Sequence, residues 1–278
     1  MDVSERGIPS IEEDIMKIIV CIKQVPGTSQ VEIDEATGVL KRDGAAAKIN
    51  PYDLYALETA LRMRELCGGT VTAVTMGPPQ AVAMMKEAYM MGVDEAYVFS
   101  DRTFAGADVL ATAYTLAQGI QAVCGQPDLI ICGKQTTDGD TAQVGPAMAE
   151  YMNIPCAAWV SDIPQITEEG ITVAQNFVDV TQIATMKFPC LITVEKDIFT
   201  PRLPSYRLKM ATADREVKVI PFDQFKDQDV SHYGLKGSAT AVERIFPPET
   251  HDGQEFLEGD EPNIAKELLD MFAYRKYL

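Results

Sequence analysis

The sequence predicts an α/β protein with a doubly wound, mostly parallel sheet, a β-rich addition and an extended C-terminal arm ending in a helix. Three observations predict it. Short apolar runs alternate with runs of helical period from residue 17 to beyond residue 141, which makes βαβ units and a sheet covered on both faces. Those apolar runs are continuous rather than alternating, as strands buried on both sides require. Past Ala157 the pattern changes to β-prone stretches parted by polar turns, the mark of antiparallel pairing.

Taken in order, residues 17–22 (KIIVCI) form the first strand and residues 31–40 read as a small hairpin whose turn ends at Gly38. In NPYDLYALETALRMRELCGG, Asn50 can cap a helix and Pro51 suits its first turn. Leu54, Leu57, Ala60, Leu61 and Met63 recur at helical spacing, and Gly68 and Gly69 end the run. A strand follows over 71–76 (VTAVTM), then Gly77-Pro78-Pro79, a helix over 80–91, a strand over 96–99 and a helix over 108–123. Residues 128–132 (DLIIC) are the most apolar strand, and another helix begins near Thr141. Residues 159–166, 171–180 and 191–194 make the β-rich addition. Residues 200–209 (TPRLPSYRLK) are Pro-punctuated and basic, an arm rather than core. Residues 262–277 form an amphipathic helix with Ile264, Leu268, Leu269 and Phe272 on one face.

Composition narrows the function. The 278 residues hold 41 acidic against 24 basic side chains, a net charge of −17, so a nucleic-acid or anionic-membrane surface is disfavoured. Six scattered Cys show no zinc or iron–sulfur spacing and point to a reducing, cytoplasmic setting. Two His, at 232 and 251, give poor support to a histidine-based centre. No apolar stretch approaches the ~20 residues of a membrane span. The first fifteen residues lack a signal-peptide layout and read as an extension before the fold proper.

The most informative stretch is GKQTTDGDTAQVGP, which opens at Gly133 directly after the most apolar strand. In a doubly wound sheet ligands sit beyond the carboxyl ends of the strands, where the loops after Ile22, Met76 and Cys132 gather. A helix N-terminus there offers unpaired N–H groups and partial positive charge to a phosphate. Thr136, Thr137 and Thr141 add hydroxyls, Gly139 lets the backbone come close, Lys134 offers a cation and Gln143 an amide. The plainer reading is that Asp140 caps the helix while Asp138 and Gly139 make a tight turn. The Walker layout, G-x-G-x-x-G and a nucleophile elbow are all absent, against a P-loop NTPase, a standard NAD fold and a hydrolase. The chain then divides into an extension (1–15), a nucleotide-binding α/β domain with its β-rich addition (16–200) and a recognition segment, arm and helix (201–278).

Four segments together resemble the beta subunit of electron transfer flavoproteins: VCIKQVP from Val20, KINPYDLYALETAL from Lys48, VTMGPP from Val74, and the GKQ loop. The similarity runs from about residue 16 to about residue 210. It implies a fold like that of adenine-nucleotide alpha hydrolases and a nucleotide held by Cys21, Asn50, Pro51, Tyr52, Asp53, Met76 and Gly77, with Gly133, Lys134, Gln135, Thr136, Thr137, Asp138, Gly139, Asp140, Thr141, Ala142, Gln143 and Val144. Bland roles stand beside these: core filler for Met76, burial for Cys21. Members pair with a flavin-bearing alpha subunit. Respiratory members hold AMP in the beta subunit, and electron-bifurcating members hold a second FAD there. AMP-type relatives carry a D-D/N-D-x-N-x-T-G-Q pattern where this chain reads Asp138-Gly-Asp-Thr-Ala-Gln-Val-Gly-Pro146, similar to the bifurcating branch.

The resemblance therefore implies FAD, with AMP as the alternative. It also implies NADH as donor, with electrons divided between ferredoxin or flavodoxin and a dehydrogenase. That dehydrogenase would be an acyl-CoA dehydrogenase or a flavin-dependent 2-hydroxyacid (lactate) dehydrogenase. The flavin carries such chemistry, which suits a chain poor in His and set in anaerobic metabolism. In the family a segment after the β-rich region recognises the dehydrogenase; here it corresponds to Arg202, Leu203, Tyr206 and Leu208, and Leu203, Tyr206 and Leu208 all qualify as its anchor. The plain alternative leaves Arg202 and Arg207 solvated. A stand-alone ATP-binding module is a second alternative, opposed by the arm and terminal helix. A nucleotide-activating ligase, the third, lacks its glycine loop.

Overall fold

The computed structural model describes residues 16–27, 47–243 and 256–277. The expected N-terminal extension (1–15) and the hairpin expected at 31–40 lie outside these described residues.

The first strand, β1 (Lys17–Cys21), is followed by a short pair, β2 (Gln24–Pro26) and β3 (Ala47–Ile49), which run antiparallel. Helix α1 (Pro51–Cys67) has Pro51 at its first position and keeps Leu57, Ala60 and Leu61 fully buried. Then come β4 (Thr70–Met76), α2 (Val82–Met91), β5 (Glu95–Phe99), α3 (Val109–Cys124), β6 (Leu129–Gly133) and α4 (Val144–Met152). Strands β7 (Cys156–Ile166), β8 (Gly170–Phe177), β9 (Val180–Lys187) and β10 (Cys190–Val194) complete the long run of sheet. The arm adds α5 (Tyr206–Ala211), β11 (Lys218–Ile220), a single turn α6 (Gly234–Gly237) and α7 (Glu261–Tyr274).

The main sheet has nine strands in the order β11-β5-β4-β1-β6-β10-β7-β8-β9. Every pairing from β11 through β7 is parallel, and β7-β8-β9 is antiparallel. Side-chain alternation in β1 divides the core. Ile18 and Val20 pack with α1 and α2, while Ile19 packs with α3 and α4. Each such Ile or Val buried on both sides of the sheet contributes roughly 1.5–3 kcal/mol.

Three expectations are corrected. Residues 191–194 do not belong to the antiparallel addition: β10 inserts between β6 and β7, parallel to both, and all five of its residues are buried, as its unbroken apolar run demands. The helix expected near Thr141 starts at Val144, because Asp140 and Ala142 both adopt φ of 54° and cannot join a right-handed helix. The arm is not wholly extended. Ser205 caps the short α5, and β11 adds to the free edge of β5; three residues are too few to announce a strand in sequence.

Candidate functional site

From β1 the chain winds outward to β4 and β5, then returns to place β6 on the opposite side of β1. This is a switch point, where two strand-to-helix loops diverge and leave a crevice beyond the carboxyl ends. A cavity of about 360 Å³ lies there. Its floor is the ends of β1 and β6, with Cys21, Ile22, Cys132 and Gly133, and Thr75 and Met76 of β4 line one side.

Asp53, in the first turn of α1, reaches into this floor although it is 5% exposed. Its Oδ2 accepts the Lys23 amide at 2.7 Å. A Cβ on Gly133 would collide with the Asp53 carboxyl, so only glycine lets β6 end against α1. Burial pushes the Asp53 carboxyl up to about 7, against the hydrogen bonds from Asn50, Lys23 and Gly133 that favour its charge. A carboxyl so raised is partly neutral near pH 7 and repels a phosphate weakly.

The loop after β6 is pinned by Asn50 and Lys23. Asn50, expected to cap α1, makes no side-chain cap. Fully buried, it donates from Nδ2 to the Gln135 carbonyl at 2.8 Å and accepts the Thr137 amide at 3.2 Å. Lys23 Nζ grips both Asp138 oxygens at 2.7 and 2.8 Å. Burial raises the Asp138 carboxyl, but the Lys23 contact outweighs it and holds the group below its usual value. Asp140 does not cap α4 either; its carboxylate accepts from the Gln135 side-chain Nε2 while its own N–H bonds the Thr136 carbonyl at 2.9 Å.

Helix α4 starts at the cavity wall and carries Pro146 within its first turn, where no amide partner is needed. Its first amides point to the crevice end, with Gln143, Val144 and Gly145 on the lining. A Cβ on Gly145 would stand 2.6 Å from Thr193, which fixes how closely α4 approaches β10. Opposite, the loop before α3 brings Ala107 and Asp108, and the first turn of α3 brings Val109 and Thr112. Asp108 caps α3 by accepting the Ala111 amide at 3.0 Å, and it takes the amide and hydroxyl of Thr240 at 2.9 and 3.0 Å. The arm thus straps this wall.

Both lining lysines are committed. Lys23 is held by Asp138, and Lys134 binds Glu195 at 2.8 Å and lies over the Trp159 ring at 4.8 Å. An anion in the crevice is left with backbone N–H groups and the hydroxyls of Thr75, Thr112, Thr136 and Thr141, a donor set suited to phosphate.

Of the residues singled out from sequence, Cys21, Asp53, Met76, Gly133, Lys134, Gln135, Thr136, Gly139, Thr141, Ala142, Gln143 and Val144 share this one cavity. Asn50, Pro51, Tyr52, Gly77, Thr137, Asp138 and Asp140 stand outside its lining, and Asn50 and Asp138 act by bracing the loop. Sequence reasoning passed over Lys23, Thr75, Cys132, Gly145 and the whole wall at the head of α3. The signal was present in Gly106-Ala-Asp108 after β5, since every strand-to-helix loop opens on the same edge.

In the arm, Arg202 is not simply solvated. Its guanidinium binds Glu58 at 2.8 Å and Glu65 at 2.8 Å, and Glu58 is 3% exposed. Leu203 and Tyr206 project outward at 86% and 74% exposure, whereas Leu208 is half-buried near Gly92. Among the described residues no cluster of His, Cys, Asp and Glu could hold a metal ion, and no helix is long and apolar enough to cross a membrane.

Comparison with known proteins agrees with this architecture. The profile of the electron transfer flavoprotein domain matches residues 37–224. The electron transfer flavoprotein subunit beta of Thermoanaerobacterium thermosaccharolyticum is 41% identical over 256 residues, 92% of this chain and 97% of that one. Protein FixA of Azorhizobium caulinodans is 40% identical, covering 84% and 85% of the two chains. The caffeyl-CoA reductase-Etf complex subunit CarD of Acetobacterium woodii is 39% identical, covering 89% and 94%. A nine-stranded sheet with its cavity at the switch point and relatives matched along most of their length lead to one conclusion: the chain belongs to the electron transfer flavoprotein family, as a beta subunit.

Proposed function

We propose that the switch-point cavity holds the adenosine and phosphate end of FAD, and that the chain, with its alpha subunit, takes electrons from NADH and bifurcates them in the cytoplasm. The observation that carries the reading is the set of small residues at the α4 end of the cavity. Gly139 and Ala142 leave little more than backbone on the lining just before α4, so a second phosphate and the group beyond it can pass. A cavity of about 360 Å³ is small among ligand sites, which run from ~300 to 1,000 Å³. It suits the adenosine and phosphates, and leaves the flavin ring outside this chain's own walls, toward a partner.

Bound there, the flavin supplies the redox chemistry: two electrons accepted from NADH, one passed toward ferredoxin or flavodoxin and one toward a dehydrogenase. The chain's residues position and shield. Asp53 and Asn50 hold the floor and the loop, the α4 amides and threonine hydroxyls meet the phosphates, and the paired lysines keep net positive charge off the site. Leu203 and Tyr206 are the outward-facing residues of the recognition segment, and an acyl-CoA or flavin-dependent 2-hydroxyacid dehydrogenase is the partner they would meet.

The same cavity size favours a second reading, AMP as a resident mononucleotide in a non-bifurcating subunit. Releasing and identifying the nucleotides of the native heterodimer decides. Two FAD per heterodimer is the expected result; one FAD with one AMP overturns the bifurcating reading.

A further inference from the structure

Two thiols face each other across the floor of the cavity. Cys21 ends β1, Cys132 lies in β6, and the two are register partners in neighbouring parallel strands. Such strands run ~4.8 Å apart, within the Cα separation a disulfide spans. Both side chains lie on the α3 and α4 face of the sheet, and both line the cavity. The Cys132 thiol hydrogen-bonds the Cys21 sulfur, and that contact with burial pushes Cys132 well above the ordinary thiol range. Cys132 therefore keeps its proton, and Cys21, half-exposed at the cavity, is the sulfur that a molecule in the crevice reaches first. No other pair shares this placement: Cys190 lies on the opposite face, and Cys156 is two strands from Cys132, ~10 Å away.

We propose that Cys21 and Cys132 form a redox-modification site, a dithiol that closes to a disulfide when the cavity is empty and is sheltered when a nucleotide fills it. The oxidant is a hydroperoxide. The Cys21 sulfur attacks one peroxide oxygen; an S–O bond forms, the O–O bond breaks, and the leaving oxygen departs with a proton as alcohol or water. The Cys132 sulfur then attacks the sulfenic sulfur; S–S forms, S–O breaks, and hydroxide leaves with the Cys132 proton as water. Two electrons pass from the thiols to the peroxide.

The shelter, unlike the dithiol, rests on the nucleotide reading above. The test uses the native heterodimer stripped of nucleotide, treated with hydrogen peroxide, denatured, alkylated, digested and read by mass spectrometry. A peptide joining Cys21 to Cys132, lost on adding dithiothreitol and absent from Cys21→Ser, Cys132→Ser and Cys132→Ala, is expected. With AMP at ten times its Kd the empty fraction falls to about a tenth, so the link forms about ten-fold more slowly. Oxidised Cys21 with Cys132 still alkylated, or a link to another cysteine, overturns the dithiol. Calorimetry on the same sample separates the rest. AMP that binds without slowing the link overturns the shelter, and AMP that does not bind overturns the nucleotide reading while the dithiol stands.

Discussion

The parallel half of the sheet and the arm beyond it are held by different physics. From β4 to β10 the strands are apolar on both faces, and α1 to α4 close over them. Within the arm, α5 has no buried residue and α7 has none. The arm sets β11 and the apolar side chains of Val217, Ile220, Phe225 and Tyr233 against the sheet, and elsewhere clings at points: Arg202 on Glu58 and Glu65, Ser238 and Thr240 on Asp108, Asp227 on Tyr114 and His232. Burial is nondirectional and insensitive to pH, whereas the polar contacts at these points can be loosened by pH or salt. The first kind of region can carry a rigid cavity; the second can be remodelled by a partner.

Breaking the comparison from the apolar side gives the largest effect. Ile131, at the centre of β6, has no exposed surface, and Ile131→Ala should cost as much as about 5 kcal/mol in chemical denaturation. Within this apolar half Asp53 is a buried carboxyl, 5% exposed. With its carboxyl pushed up to about 7 by burial, the folded chain binds more protons than the unfolded one above the ordinary carboxylate value. Stability should therefore fall as pH rises from about 4 to about 7, by up to about 4 kcal/mol. Asp53→Asn has nothing to titrate and should flatten that slope in equilibrium unfolding. An unchanged slope would mean the carboxyl is ionised in the fold.

Arg202 tests the arm. Arg202→Met leaves the Glu58 carboxylate, 3% exposed, with only Arg62 beside it at 2.9 Å. Because the guanidinium is itself partly solvated, the expected loss is about 2 kcal/mol rather than the ~3–5 kcal/mol of a fully buried pair. Burial raises the Glu58 carboxyl, but Arg202 and then Arg62 more than reverse this and hold it below its usual value. The pair's contribution is accordingly present at neutral pH and lost as pH falls through the lowered value. The deficit of Arg202→Met against the parent should therefore be full at neutral pH and shrink as pH falls through that value, in equilibrium unfolding followed against pH.

Legibility in the sequence divides along the same line. Continuous apolar runs announce strands buried on both sides, so β1, β4, β5 and β6 were readable, and the topology then placed the site at their carboxyl ends. Local chemistry was less readable. Asn50 looked like a helix cap because cap and brace use the same amide, and only the fold brings residue 135 to it. Asp140 looked like a cap because sequence does not reveal that its backbone turns left-handed. The wall at the head of α3 was missed for the opposite reason: its Ala107 and Val109 carry no polar signature, and they serve by place alone.

The smallest effect belongs to the anchor nearest solvent. His232 Nδ1 meets Asp227 at 2.6 Å, and Tyr114 reaches the same carboxylate oxygen at 2.5 Å. Asp227 is held down at about 2, by His232 first and Tyr114 next, and His232 is raised by Asp227 in return. A raised imidazole contributes fully below its ordinary value of 6.5 and loses that contribution as pH rises through the folded value. Hydrogen exchange over residues 227–240 should therefore quicken with pH beyond the intrinsic amide rate, and His232→Asn should remove the excess. Asp108 joins this segment to the cavity wall through Ser238 and Thr240. If the amides of residues 103–108 quicken together with the arm, the wall and the strap open as one unit, and a partner that seats the arm also tightens the cavity. If only the arm responds, the apolar half holds its site without help from the anchors.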